Sequence, residues 1–200
     1  KVDYIIHAAG DSAPAKFTQD PLGTIDVNVS GIRSLLDYCI KNKVLSVLYM
    51  SSGEIYGSPP SEFIPTPESY NGNVSTSGPR APYTSSKRLA ETLCFVYFEK
   101  YGIPVKIARP FIIYGPGLKV SDRRVMADFI RSGLQKKPIE MLSEGLDTRS
   151  YCYVADATVS FLQLLLSDKN GQVFNVSSEL DEISIKDLAN LVHKICKINK

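Results

Sequence analysis

"VLSVLYMSSGEIYG", residues 44–57, changes character halfway along. Its first half is a short apolar run with β-branched residues, the mark of a strand buried on both faces. Its second half turns small and polar and brings Ser51, Ser52, Glu54 and Tyr56 together. A buried strand that ends in such a cluster fits an open α/β sheet, in which ligands bind beyond the carboxyl ends of the strands.

Working outward, "VDYIIHAA" (2–9) and "PVKIARP" (104–110) are runs of the same kind. Helical patterns separate the three. Between residues 26 and 42 the apolar positions Ile25, Val29, Ile32, Leu35, Leu36 and Cys39 recur at intervals of three and four. From Tyr83 to Tyr101 the same holds for Leu89, Leu93, Val96 and Tyr97, and Gly102 with Pro104 closes that helix. Strand, helix, strand, helix, strand implies right-handed crossovers and an α/β fold with a Rossmann-type, doubly wound parallel sheet. The stretch 57–82, dense in Pro, Gly, Ser and Asn, reads as a long loop at a strand's carboxyl end, where long ordered loops carry function.

After residue 115 the rhythm changes to a helix over 122–135, a strand over 138–142, a helix over 154–167, a strand over 172–176 and a helix over 185–197. Ser184 and Asp187 suit a cap for the last. The expected division is a partial nucleotide-binding domain with the active site over 1–115, and a partial, mixed substrate-binding domain with returning sheet elements over 116–200.

Composition narrows the function. The chain is 44% hydrophobic and 22% charged, with a net charge of +2 from interspersed residues, so no basic stripe for nucleic acid is present. The four cysteines stand far apart without a C-x-x-C pair and only two histidines occur, which argues for reduced thiols and no metal site. No apolar run is long enough to span a bilayer and no signal peptide is visible, so the expected compartment is the cytoplasm.

Of the 11 tyrosines only Tyr83 has a lysine four positions later, Lys87. That spacing puts both on one helix face, next to the strand end that carries Ser51 and Ser52. A phenol with a pKa of about 10 is a poor base at neutral pH, and a nearby ammonium favours the phenolate. A serine hydroxyl beside it can hold the substrate oxygen that loses its proton. Taken alone, Tyr83 and Lys87 equally describe a solvated helix pair, and His7 serves to support a strand end.

His7-Ala8-Ala9-Gly10, Asn28 followed by Gly31, "SSGEIYG", "YTSSK", "ARPFIIYGPG" and "TRSYCYVADA", in this order, resemble the extended short-chain dehydrogenases/reductases. Within them the chain is most similar to nucleotide-sugar epimerases, 4,6-dehydratases and UDP-glucuronate decarboxylases. The resemblance implies NAD as a recycled cofactor, a UDP- or dTDP-linked sugar as substrate, and a homodimer. It further implies that Tyr83 takes the proton of the sugar 4-hydroxyl, that Ser52 shares that hydroxyl, and that Lys87 holds the nicotinamide ribose. Ala8, Ala9, Asn28, Ser51 and Pro110 match positions lining the dinucleotide. Arg149 matches a residue that contacts the nucleotide-sugar phosphates, and Arg124 is a second phosphate or uronate candidate.

Glu54 discriminates among the family's reactions. A 4,6-dehydratase needs a carboxylate base for the C5 proton and an acid for the departing C6 hydroxyl, and in that subfamily an Asp precedes the Glu. Here the pair is Gly53-Glu54. Loss of carbon dioxide from a 4-keto uronate needs no such acid, and decarboxylases resemble this chain in keeping Glu after a small residue. Decarboxylase-like chemistry leads, with a 4,6-dehydratase or a 4-epimerase as alternatives.

Ile112 stands where the family commonly has Asn, and Gly117 where decarboxylases have Arg. The family's opening strand, Gly-rich turn and acidic ribose ligand are absent from these 200 residues, so the N-terminal βαβ unit is expected to be missing and the chain to resemble the middle of a longer protein. A non-catalytic remnant and an NADP-dependent reductase are therefore further alternatives.

Overall fold

The computed structural model describes residues 2–10, 12–119, 124–178 and 182–197. In chain order, β1 (Tyr4–His7), α1 (Pro14–Gln19), α2 (Pro21–Asn42), β2 (Ser46–Met50), α3 (Ala81–Tyr101) and β3 (Val105–Pro110) come first. They are followed by β4 (Ile112–Tyr114), α4 (Val125–Leu134), β5 (Thr148–Tyr153), α5 (Val154–Leu166), β6 (Val173–Val176), β7 (Glu182–Ser184) and α6 (Ile185–Cys196). The chain divides into two compact units, one of residues 1–111 with 158–176 and the other of 112–157 with 177–200.

The first unit is built on a sheet in the order β1-β2-β3-β6 with every pair parallel. Successive strand residues point to opposite faces, and both faces are covered. On one, Val47, Tyr49, Val105 and Ile107 pack against Ile32, Leu36 and Cys39 of α2 and Ala90, Cys94 and Tyr97 of α3. Each fully buried aliphatic side chain there contributes roughly 1.5–3 kcal/mol. On the other, Ser46 Oγ donates to the Leu165 carbonyl of α5 at 2.6 Å and accepts from Lys106 Nζ at 2.8 Å. The parallel sheet with flanking helices is the α/β, Rossmann-like architecture that the strand and helix alternation implies.

Local chemistry sets the helix ends. Asp20 caps α2 by accepting from Gly23 N at 2.9 Å, and Pro21 occupies the first turn, where its missing N–H costs nothing. Gly102, at φ 67°, ends α3 in the left-handed conformation and returns its N–H to the Phe98 carbonyl.

The buried faces of the two long helices are only partly the expected ones: Ile32, Leu36, Cys39 and Tyr97 are buried as the spacing implies, and other positions differ. In α2 the buried stripe is Thr24, Asn28, Ile32, Leu36 and Cys39, while Ile25 is 38% exposed. In α3 it runs through Tyr83, Lys87, Ala90, Glu91, Cys94 and Tyr97, and Leu89 and Val96 face outward. Polar groups displace apolar ones from the buried face because that face meets the carboxyl edge of the sheet.

In the second unit β5 pairs parallel with β4 and antiparallel with β7. Phe129 of α4 and Leu188, Ala189 and Val192 of α6 pack with Tyr151 of β5. Ser184 caps α6, accepting from Asp187 N at 3.0 Å. The expected strand over 138–142 is not formed. Pro138 cannot donate to a ladder, and Ile139 alone anchors the segment in the core. The helix expected over 122–135 is observed as Val125–Leu134, residues 122 and 123 lying outside the described residues. Among the described residues no helix is long and apolar enough to cross a membrane.

Candidate active site

All side chains of this site belong to the first unit. β2 ends at Met50, and the chain then turns through a 3-10 segment, Gly53–Tyr56, capped by Ser52, whose Oγ accepts from Glu54 N at 3.2 Å. The cap fixes Ser52 at the rim of the sheet. α3 starts at Ala81, so Tyr83 and Lys87 lie one turn apart near its N-terminus, 5% and 6% exposed.

Burial raises the Tyr83 pKa, the neighbouring Ser52 side chain lowers it, and the negative charge of Glu54 raises it further. The Phe17 ring of α1 stacks on Tyr83 at 5.1 Å and 17°. Lys87 Nζ donates to the Met50 carbonyl at 2.8 Å and stands 5.9 Å from the Tyr83 ring centre and 5.1 Å from that of Tyr49. Burial lowers the Lys87 pKa to about 8, with Glu91 and Cys94 acting against it. Desolvation, and then the charge of Lys87, hold His7 below its ordinary value.

Asn28 ties α2 to α3, donating from Nδ2 to Ser86 Oγ at 3.0 Å, and Ser86 in turn donates to the Tyr83 carbonyl at 3.0 Å. Asn28 Oδ1, His7 Nδ1 and the Tyr49 hydroxyl are buried without a hydrogen-bond partner among the described residues. A Cβ on Gly10 would come within 2.8 Å of Asn28 Oδ1 and 3.6 Å of Lys87 Nζ. Ala8 and Ala9 lie exposed beyond the end of β1, and Pro110 ends β3 beside Val176. Unsatisfied polar atoms next to Gly10 fit a polar, hydrogen-bonding ligand.

A second buried network supports the first. Ser51 Oγ donates to Glu91, and Glu91 forms a two-pronged ion pair with Arg109, Nε to Oε1 at 3.0 Å and Nη2 to Oε2 at 2.6 Å. Arg109 Nη1 also donates to the Tyr56 hydroxyl at 2.7 Å and the Glu68 carbonyl at 3.0 Å. Arg88 donates to the carbonyls of Ile55 and Asn71, and Asn175 Nδ2 donates to that of Thr66. These bonds pin the long loop, which is ordered by side chains from α3, β3 and β6.

Of the sequence-selected residues, Ala8, Ala9, Asn28, Ser51, Ser52, Glu54, Tyr83, Lys87 and Pro110 lie in this unit. Arg124 and Arg149 belong to the second. Arg124 is exposed at the start of α4, and Arg149 of β5 donates from Nη1 to the Thr148 carbonyl at 2.7 Å and lies 3.8 Å from Asp147. Sequence reasoning missed Phe17, Arg80, Glu91, Arg109 and the close approach of Phe111 to Gly53. Helical spacing from Tyr83 could have found Arg80, three positions before, and Glu91, eight after. Nothing local marks Phe17. Among the described residues no group of three His, Cys, Asp or Glu side chains could hold a metal.

Comparison with known proteins identifies the family. Residues 1–177 match the NAD dependent epimerase/dehydratase family. UDP-glucuronic acid decarboxylase 5 of Arabidopsis thaliana is 36% identical over 195 residues, 98% of this chain and 56% of the relative, so the chain spans about half the length of such curated relatives. UDP-glucose 4-epimerase of Thermotoga maritima, solved with UDP-glucose, has the same fold, with a TM-score of 0.89 at 24% identity over 99% of this chain and 62% of that one. RMD of Pseudomonas aeruginosa, complexed with NADPH, gives 0.84 at 29% identity over 98% of this chain and 68% of that one. The chain belongs to the NAD dependent epimerase/dehydratase family.

Proposed function

We propose that this chain carries the catalytic centre of an enzyme that decarboxylates a UDP-linked uronate through a 4-keto intermediate. Tyr83 takes the proton of the sugar 4-hydroxyl while Ser52, the side chain that favours its phenolate, holds that oxygen. NAD, when bound, supplies the hydride acceptor and later donor at C4. Ala8, Ala9, Asn28, Ser51, Lys87 and Pro110 are the residues that would hold it, and the unpartnered Asn28 Oδ1 beside Gly10 fits such a ligand. With C4 as a ketone, the C5–C6 bond breaks, carbon dioxide leaves, and the bonding pair passes into the enolate. C5 then takes a proton from water, and Glu54 is the side chain proposed to lie beside it.

One feature separates this chemistry from dehydration. A Cβ on Gly53 would sit 2.9 Å from Cδ1 of Phe111 and 3.0 Å from Cε1 and Cγ, so a side chain such as a dehydratase's acid would have to push the ring aside. Phe111 is itself stacked on Tyr56, at 6.1 Å between ring centres. Tyr83 and Ser52 alone would also serve a 4-epimerase, and incubation of the full-length protein with UDP-glucuronate, dTDP-glucose and UDP-glucose separates the three by product mass and C4 configuration.

Arg149 and Arg124 are the proposed contacts to the sugar-nucleotide phosphates, for which a guanidinium fork is suited. Outward-facing Leu22 and Ile25 of α2 and Leu89 and Val96 of α3 support a homodimer through these helices. Sedimentation of a Leu89→Glu variant as a dimer would contradict that assignment. Four free cysteines, three of them buried, support a reducing compartment such as the cytoplasm, to be checked by imaging a tagged protein.

A further inference from the structure

Arg80 enters none of the roles above, yet among the described residues it makes an ion pair that joins the two catalytic segments at their rim. Its Nη1 lies 2.5 Å from Glu54 Oε2. Glu54 stands two residues after Ser52, on the turn that Ser52 caps, and Arg80 stands three before Tyr83, at the N-cap of α3. The Arg80 carbonyl accepts from Thr84 N at 3.0 Å and from Thr84 Oγ1 at 3.2 Å, so its backbone is part of the helix that carries the base. Nothing else in the first turn of α3 is charged before Lys87.

We infer that Arg80 is a positioning residue of this site: paired with Glu54, it fixes the turn that carries Ser52 against the helix that carries Tyr83. This rests on the proposed role of Tyr83 and Ser52. The physical reason is twofold. The pair is half-exposed, its side chains 59% and 47% accessible, so its effect on overall stability is small. Its effect on the site is larger, because the approach of Ser52 to Tyr83 depends on the relative placement of two separate segments. Facing Tyr83 are Ser52 and Glu54 from the turn, Phe17 from α1, Tyr49 from β2 and Lys87 from its own helix. Burial is the main cause that keeps the phenol protonated and the Glu54 carboxylate adds to it, so removing Arg80 leaves that charge uncompensated.

The test uses the full-length protein with Arg80→Ala, Arg80→Lys, Glu54→Gln and the Arg80→Ala/Glu54→Gln double variant. Two readouts are taken: the titration of the Tyr83 ring by NMR of [13C]tyrosine-labelled protein, assigned with Tyr83→Phe, and kcat and KM against pH on the nucleotide sugar it turns over. Arg80→Ala is expected to move the Tyr83 titration to higher pH and to lower kcat about tenfold or more with KM within about threefold. Arg80→Lys restores most of the loss, and in the Glu54→Gln background Arg80→Ala shifts nothing further. A titration and kcat unchanged by Arg80→Ala, or an equal loss with Glu54→Gln already in place, overturns the inference. The NMR titration needs no substrate, so a wild type without turnover counts against the proposed reaction and leaves the assignment of Arg80 separately tested.

Discussion

Phe111 lies against Gly53 so closely that a Cβ at position 53 would come within 2.9 Å of its ring. Gly53→Ala forces the ring off its contact with Tyr56, at a cost of about 1–3 kcal/mol in denaturant unfolding. Phe111→Leu in the same chain makes room and recovers most of it. An Ala variant as stable as wild type would show that the ring gives way freely, and the steric exclusion of a dehydratase acid would fail with it.

Tyr83→Phe removes the hydroxyl and keeps the ring stacked on Phe17. Turnover is expected to fall ~10²–10⁴-fold, while binding of the nucleotide sugar, measured by calorimetry, stays near wild type. Unchanged turnover would remove Tyr83 from the mechanism.

Burial places the Lys87 pKa at about 8, against 10.5 for an ordinary lysine. Below pH 8 the ammonium is charged in both folded and unfolded states and the whole desolvation penalty, about 3 kcal/mol, opposes folding. Between about pH 8 and 10.5 the unfolded chain holds the proton more tightly than the folded one, so this penalty fades as pH rises. Lys87→Met is therefore expected to be inactive yet more stable than wild type at pH 7, with the difference in denaturant midpoint narrowing toward pH 10. A difference that is constant with pH would contradict a depressed lysine.

The Glu91 to Arg109 pair is 6% and 9% exposed and is held by Ser51 and Tyr56 on either side. Removing one partner strands a buried charge, so Arg109→Met should cost about 3–5 kcal/mol, whereas Arg109→Met with Glu91→Leu should recover a large part of it. Equal losses in the single and double variants would show that the hydrogen bonds to the long loop, rather than the charges, carry the effect.

The sheet was legible because buried parallel strands are short apolar runs, and 46–50, 105–110 and 173–176 are strands within expected ranges. The helix faces were harder to read. α3 turns Lys87 and Glu91 inward and Leu89 and Val96 outward, and periodicity ranks those positions by hydrophobicity alone. α1 escaped notice because six residues hold too little pattern, its place being set by Phe17 reaching Tyr83. β5 escaped because its polar outer positions hide the buried Tyr151 and Cys152. Tyr83, Lys87 and Ser52 could be named from spacing and order. Phe111 could not, and Arg80 only as a helix neighbour of Tyr83, since each acts through a contact whose partner is some 26 or more residues away.

The most direct test of the central claim is to incubate the purified full-length protein with NAD and UDP-glucuronate and to follow product mass and released carbon dioxide. Loss of carbon dioxide with formation of the UDP-pentose, abolished by Tyr83→Phe, is the predicted result. Unchanged mass with inverted C4, loss of water from a neutral hexose instead, or no turnover of any nucleotide sugar would contradict it.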